Sequence, residues 1–243
     1  MIIEVCCGSY EDAYVAKKAG ANRVELNSAM FLGGLTPSLG NLRLCKRNLD
    51  IPILPMIRPR SAGFMYTDYE YDTMVEDAQI FLENGADGIV FGFLNENGTV
   101  NEERIRKFVA LAGEKDAVFH RAFDVVPDAA AALETLIKCG VTRVLTSGLS
   151  PSAYEGMDII KALIKQADGR IEILPGAGLR ATNIKHFVEY TGANQVHFSA
   201  KETRREPSVA NNRKINYGGA LYPREDLVEV ISLDGVAKVI GSI

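Results

Sequence analysis

The chain has 243 residues, of which 47% are hydrophobic and 24% are charged, and its formal net charge is −4. A mildly acidic chain argues against general nucleic-acid binding, which uses a basic surface. No apolar run approaches the ~20 residues of a membrane-spanning helix, and no signal-peptide pattern is present, so we expect a cytoplasmic protein with neither nucleic acid nor membrane as a partner.

Eight strand-like runs alternate with segments of helical length. In chain order the runs are IIEVC, RVELN, IPILPMIR, GIVFGF, AVFHRAF, RVLTSG, RIEILPGAG and QVHFSA. Every second run is preceded by a helix end and a glycine, at Gly20, Gly85, Gly140 and Gly192. Glycine supplies the left-handed backbone that ends a helix. Regular alternation of strand and helix therefore predicts a parallel sheet.

Four similar quarters in a chain of this length predict an α/β fold of the (β/α)₈ TIM-barrel class, with a single domain over residues 1–243. An open doubly wound sheet is the alternative, but no GxGxxG motif follows the first strand. Residues 200–224 are expected to form a long irregular loop after the last strand.

Polar side chains are predicted to point into this barrel, because side chains alternate across a strand and the apolar alternates suit the helix layer. The predicted inward set is Glu4, Cys6, Glu25, Asn27, Leu54, Met56, Arg58, His197 and Ser199. Charges inside a barrel need partners, so Glu4, Glu25 and Arg58 are expected to interact. They form either a structural ion network or a catalytic group, since barrel enzymes keep their chemistry at the carboxyl ends of the strands.

The stretch AVFHRAFD places His120, Arg121 and Asp124 at the end of the fifth predicted strand. Alternation turns either His120 or Arg121 into the barrel, and the pattern alone does not decide between them. Asp124 follows just beyond the strand. All three are candidate catalytic residues, and the alternative for the histidine is a structural role in the core.

The seventh and eighth predicted strands end in small residues that suit an anion. PGAG contains Gly176 and Gly178, and Ser199 ends the eighth strand. Barrels often bind phosphate at these two loops through backbone N–H groups. We therefore predict an anion-binding site at Gly176, Gly178 and Ser199, with a tight turn and no ligand as the alternative.

Motifs spread over nearly the whole chain resemble the CutC copper-homeostasis family. They are IIEVC, AGANRVELN, GGLTPSLG, MIRPR, GADGIVFGF, VFHRAFD, LTSG, ILPGAG and VHFSA. The resemblance implies a cytosolic (β/α)₈ barrel, a role in copper homeostasis, copper binding, and an oligomer, for which a homodimer is expected.

The resemblance also implies copper ligands at the ends of the first two strands. Cys6 matches the first of them, but Asn27 stands where the second motif has cysteine, and Phe198 replaces a further cysteine on the last strand. Because Cu(I) prefers sulfur ligands, we expect weak copper binding, with Cys6 and His197 as the metal-ligand candidates.

Two other functions remain open. One is a barrel enzyme that uses the candidate catalytic residues for acid/base chemistry on a small phosphorylated or carboxylated metabolite, held at the predicted anion site. The other is an oligomeric interaction protein without catalysis.

Overall fold

Eight parallel strands close into a barrel in the computed structural model, which describes residues 1–212, 214–217 and 224–243. The strands are β1 (Ile2–Cys7), β2 (Arg23–Leu26), β3 (Ile53–Pro55), β4 (Gly88–Phe91), β5 (Asp116–Phe119), β6 (Arg143–Thr146), β7 (Glu172–Pro175) and β8 (Gln195–Phe198). They pair in the orders β3-β2-β1-β8 and β4-β5-β6-β7. Single bridges from Met56 to Val90 and from Gly176 to His197 join the two halves, which confirms the predicted barrel.

A ring of helices surrounds the barrel. They are α1 (Tyr10–Lys18), α2 (Leu39–Asn48), α3 (Asp68–Glu83), α4 (Glu102–Ala112), α5 (Ala129–Cys139), α6 (Met157–Ala167), α7 (Ile184–Thr191) and α8 (Leu233–Ile240). The start of α3 is a capping box, in which Thr67 accepts from the backbone of Glu70 and the Glu70 carboxylate accepts in return. Gly140 and Gly192 have φ of 85° and 73° after α5 and α7, as the repeated glycine predicted.

The main core lies between the barrel wall and the helices. Outward residues of the strands, such as Val5, Val24 and Ile53, are fully buried there. Inside the barrel a small apolar cluster of Leu54, Met56, Val90 and Val118 fills one side. The rest of the interior is polar, and this division positions the functional site.

Two further strands, β9 (Lys201–Arg205) and β10 (Leu227–Ile231), form an antiparallel hairpin between β8 and α8. The expectation of an irregular loop over residues 200–224 is therefore wrong for β9. Every β9 side chain is exposed and polar, so the segment lacks the apolar alternation that marks a strand, and pairing with β10 supplies its order instead. Part of the expected loop, Arg213 and residues 218–223, lies outside the described residues.

Candidate functional site

Glu4 sits inside the barrel between an arginine and a histidine. Its carboxylate accepts from Arg23 Nε and, at 2.7 Å, from His197 Nδ1. The predicted network of Glu4 with Arg58 is wrong, because the guanidinium that reaches Glu4 belongs to Arg23. Arg23 precedes Glu25 by two positions and so shares its face of β2. The alternation that predicts an inward Glu25 also predicts an inward Arg23, which is absent from the predicted inward set.

A second arginine completes this buried layer at the amino ends of the strands. Arg143 Nε donates to Glu172 at 2.6 Å, and Arg143 Nη2 donates to Asp116 at 3.0 Å. Gln195 links the two arginines, since it accepts from Arg23 at 2.9 Å and donates to Glu172 at 3.3 Å. Every charge in the layer has an opposite partner, so this part of the barrel is structural.

Above that layer, Cys6, Glu25 and His197 form a cluster whose potential ligand atoms all lie within 4.8 Å of one another. The Cys6 thiol donates to Glu25 Oε2 at 3.2 Å, and the same oxygen lies 3.9 Å from His197 Nε2. Asn27 Nδ2 donates to Glu25 Oε2 at 2.8 Å. A second sulfur is also present, because Met30 Sδ lies 3.9 Å from Cys6 Sγ.

The charges of this cluster set the pKa values of its members. Burial alone raises the pKa of Glu4, but the hydrogen bond from His197 and the charge of Arg23 outweigh it and hold the value at about 2. Burial opposes a charge on His197, yet Glu25 and Glu4 raise its pKa above 6.5. Burial and then the Glu25 carboxylate raise the pKa of the Cys6 thiol well above 9.0. The cluster therefore combines a carboxylate-bound imidazole with a protonated thiol.

The exit of β5 resolves the choice between His120 and Arg121. Val118 belongs to the apolar cluster inside the barrel, so His120, two positions on, has the inward parity and is buried. Arg121 turns toward solvent and donates from Nε to Asp124 at 2.7 Å. Asp124 also accepts from the Thr146 hydroxyl at 2.6 Å and the Ser147 N–H at 2.9 Å. Asp124 thus fixes the end of β6 and holds Arg121 in place.

Arg58 is buried but bonds to backbone rather than to carboxylates. Its Nη1 donates to the carbonyls of Leu32 and Gly34 at 3.2 and 3.1 Å, and its Nη2 donates to Ala62 at 2.9 Å. The Phe64 ring packs on the guanidinium at 5.3 Å. Arg58 therefore braces the loops after β2 and β3.

A cavity of about 560 Å³ opens at the carboxyl ends of the strands, and all predicted site residues except Glu4 and Gly176 line it. Gly176 does not serve as an anion donor, because its N–H donates to Thr146 at 2.9 Å. Gly178 and Ser199 do reach the cavity. Ala177, which lies between Gly176 and Gly178, has φ of 76°, a strained value for a residue with a side chain.

Comparison with known proteins places the chain in a family. The sequence profile of the CutC family matches residues 1–202. The chain belongs to the CutC family. A family protein CutC of Treponema denticola is 55% identical over 241 residues, which cover 99% of this chain and 98% of that protein. The Homo sapiens protein named copper homeostasis protein cutC homolog is 42% identical, with 98% and 89% of the two chains covered.

The crystal structure of CutC from Streptococcus agalactiae matches with a TM-score of 0.78 at 35% identity, over 82% of this chain and 98% of that chain. The shared fold is the TIM barrel. The CutC profile ends inside β9, so the hairpin and α8 lie largely beyond the matched region. No helix within the described residues is long and apolar enough to cross a membrane.

As a CutC-family barrel, the molecule offers a metal a mixed donor set at its mouth. Cys6 supplies a thiol, Met30 a thioether and His197 an imidazole, while Glu25 supplies a carboxylate. Sulfur and imidazole are donors that Cu(I) accepts. Asn27 contributes only an amide, 3.4 Å from Cys6 Sγ, in the place of a second thiol. A methionine inside a barrel is more often a core residue than a metal ligand, but the structure places the Met30 sulfur 3.9 Å from Cys6 Sγ.

Proposed function

We propose that this protein binds Cu(I) as cargo at the carboxyl end of its barrel, in the cytoplasm, and serves copper homeostasis. The observation that carries the proposal is the approach of two sulfur atoms, Cys6 Sγ and Met30 Sδ at 3.9 Å, beside the imidazole of His197. Soft sulfur ligands favour Cu(I) over the harder divalent ions. The name of the human relative, copper homeostasis protein cutC homolog, agrees with this chemistry.

The electrostatics of the cluster also favour a cation. The carboxylates of Glu25 and Glu4 lie on either side of His197, and the Glu25 carboxylate contacts the Cys6 thiol. Glu4 accepts from Nδ1 and so fixes the ring with Nε2 toward Glu25 and Cys6. A metal that binds here must displace the thiol proton of Cys6, and nearby negative charge stabilises the metal once it is bound.

Affinity is expected to be modest, since Asn27 stands where the resemblance implies a second thiol. Cys6 is then the main determinant, and the Met30 thioether and the His197 imidazole complete the ligand set. A homodimer stays a prediction, which light scattering on the purified protein tests.

Titration of Cu(I) against a chromophoric chelator, under anaerobic reducing conditions, tests the copper proposal. We expect one Cu(I) per chain in the wild type, loss of binding in Cys6→Ala, and roughly tenfold weaker binding in Met30→Leu. Cys139→Ala is the matched control, because Cys139 is a free thiol at the end of α5 and outside the cavity. Equal binding by the wild type and Cys6→Ala contradicts the proposal.

A second candidate function, acid/base chemistry on a small anionic metabolite, is favoured by the bond from His197 to Glu4. A carboxylate that orients an imidazole at 2.7 Å is the arrangement of a general base, and the imidazole lines the cavity beside Glu25. Gly178 and Ser199 lie at the same mouth as the predicted anion contacts.

Proton exchange measures this second function directly. Small 2-keto acids and sugar phosphates are incubated with the protein in deuterated water, and loss of C–H signals is followed by NMR. The proposal expects exchange that His197→Gln abolishes. Identical spectra for the wild type and His197→Gln across the panel contradict it.

A further inference from the structure

Arg58 differs from the other two buried arginines of the barrel. Arg23 and Arg143 each donate to carboxylates, whereas Arg58 makes no ion pair with any residue in the described ranges. Its side chain is buried, with 7% of the residue exposed. A buried charge without a counterion is costly, so a guanidinium in this state favours an anion that the protein itself does not supply.

The hydrogen bonds of Arg58 leave part of its donor capacity unused. Nη1 and Nη2 donate to three backbone carbonyls, which are neutral. Nε makes no hydrogen bond of good geometry, although the unpaired Tyr66 hydroxyl interacts with the guanidinium, and a guanidinium carries five N–H groups in total. The three backbone bonds therefore hold the group in place and leave two of its five N–H groups without a backbone carbonyl.

A second unpartnered donor lies next to Arg58, on His120. Its Nδ1 accepts from the Ala122 N–H at 3.0 Å, which places the ring proton on Nε2, and Nε2 has no partner. Burial, and then the charge of Arg58, lower the pKa of His120 to about 3, so the ring stays neutral. Phe64 packs on both groups, at 4.9 Å from the His120 ring and 5.3 Å from the guanidinium.

Arg58, His120 and Phe64 all line the 560 Å³ cavity. The carboxylates that also line it are engaged elsewhere, because Asp124 bonds to Arg121 and to the end of β6, and Glu25 bonds to Cys6 and Asn27. Phe64 is partly buried and packs on both groups, so a ligand that reaches the two donors must displace its ring.

We propose that the cavity binds a small metabolite through an oxyanion, a carboxylate or a phosphate, held by Arg58 and His120 at the ends of β3 and β5. Both oxyanions fit a guanidinium edge, which pairs with planar or tetrahedral oxygens through two parallel hydrogen bonds. This site is distinct from the predicted anion contacts at Gly178 and Ser199, which follow β7 and β8. It is also independent of the copper proposal, since neither Arg58 nor His120 is a proposed metal ligand.

Calorimetric titration of metal-free protein, prepared with a chelating resin in a low-chloride buffer, tests the site. The probes are malonate for a carboxylate, inorganic phosphate for a phosphate, and 2-phosphoglycolate, which carries both groups. We expect saturable binding of at least one probe, and the preference between malonate and inorganic phosphate identifies the oxyanion. Arg58→Met is expected to weaken that binding by at least about tenfold.

Two arginine controls locate the site. Arg60→Met should leave affinity within about twofold, because Arg60 belongs to the same loop but pairs with Glu70 and packs on Tyr66 outside the cavity. Arg180 lies two residues after Gly178 and lines the cavity on the side of the predicted anion contacts at Gly178 and Ser199. Loss of binding in Arg180→Met with retention in Arg58→Met overturns the proposal, as does the absence of binding by every probe.

Arg58→Met removes three hydrogen bonds to loop carbonyls, and a variant that does not fold is uninformative. A wild-type crystal soaked in 2-phosphoglycolate then decides the question. Phosphate or carboxylate oxygens within hydrogen-bond distance of Arg58 support the site. An anion found only beside Gly178, or none in the cavity, refutes it.

Discussion

Replacing Glu4 with glutamine tests the buried charge layer that holds the barrel together. Glu4→Gln keeps the volume of the side chain but removes the charge that faces Arg23, and so leaves a buried guanidinium with a weaker partner. The pKa of Glu4 falls from 4.5 to about 2, a difference worth about 3 kcal/mol between the charged and neutral forms. This value agrees with the cost of losing one partner of a buried ion pair, which is about 3–5 kcal/mol.

For a chain of this size, a loss of about 3 kcal/mol lowers the melting temperature by roughly 6–12 °C. Urea and thermal unfolding at pH 7, followed by circular dichroism, measure both quantities. Glu11→Gln is the matched control, because Glu11 pairs with Arg204 on the surface and should cost no more than about 1 kcal/mol. Equal effects of the two substitutions refute the reasoning.

The pH dependence of the same comparison gives an independent check. The folded-state pKa of Glu4 lies below its unfolded value, so its contribution to stability is complete above pH 4.5 and is lost as the pH falls toward 2. The difference in unfolding free energy between the wild type and Glu4→Gln should therefore shrink between pH 5 and pH 3. A difference that stays constant over this range means that the carboxylate charge is not its source.

Three further predictions concern the barrel mouth. The pKa of His120 is lowered from 6.5 to about 3, so the wild type should lose about 2 kcal/mol of stability between pH 6.5 and 5, as measured by urea unfolding. His120→Asn has no titrating group at this position and can still accept from the Ala122 N–H, so it should not show this loss. Gly92→Ala should cost roughly 1–3 kcal/mol by the same assay, because its Cβ would lie 2.4 Å from His120 Cε1, whereas Gly63→Ala, with nothing within 4 Å, should be nearly neutral. Asn27→Cys places a thiol near Cys6, and should raise Cu(I) affinity at least about tenfold in the chelator titration.

Side-chain direction along the strands was predictable from sequence because the alternation of a strand is rigid. Glu4 and Cys6 on β1, like Glu25 on β2, point inward as parity requires. The closed barrel was predictable for a similar reason, since evenly repeated βα units leave few topologies. The direction of His120 was not predictable in this way, because either alternation pattern along β5 placed an apolar residue, Val118 or Phe119, inside the barrel.

The pairing of charges was not predictable, because it depends on register and on where a strand ends. Parallel register sets Glu4 opposite Arg23, a fact that neither strand contains alone. β3 ends at Pro55, so strand alternation no longer governs Arg58, whose side chain reaches loop carbonyls instead. Met30 lies in a short 3-10 turn after β2, where no periodic pattern reports the position of its sulfur.

The β9–β10 hairpin leaves the barrel and returns to it at almost one point, since Ser232 N donates to Ala200 O at 2.8 Å. Length added or removed between those two residues need not alter the path of the chain on either side. This junction is where evolution, or a protein engineer, can exchange an appendage without rebuilding the scaffold. Relatives that share the carboxyl end of the barrel are thus free to diverge in size and in surface chemistry here.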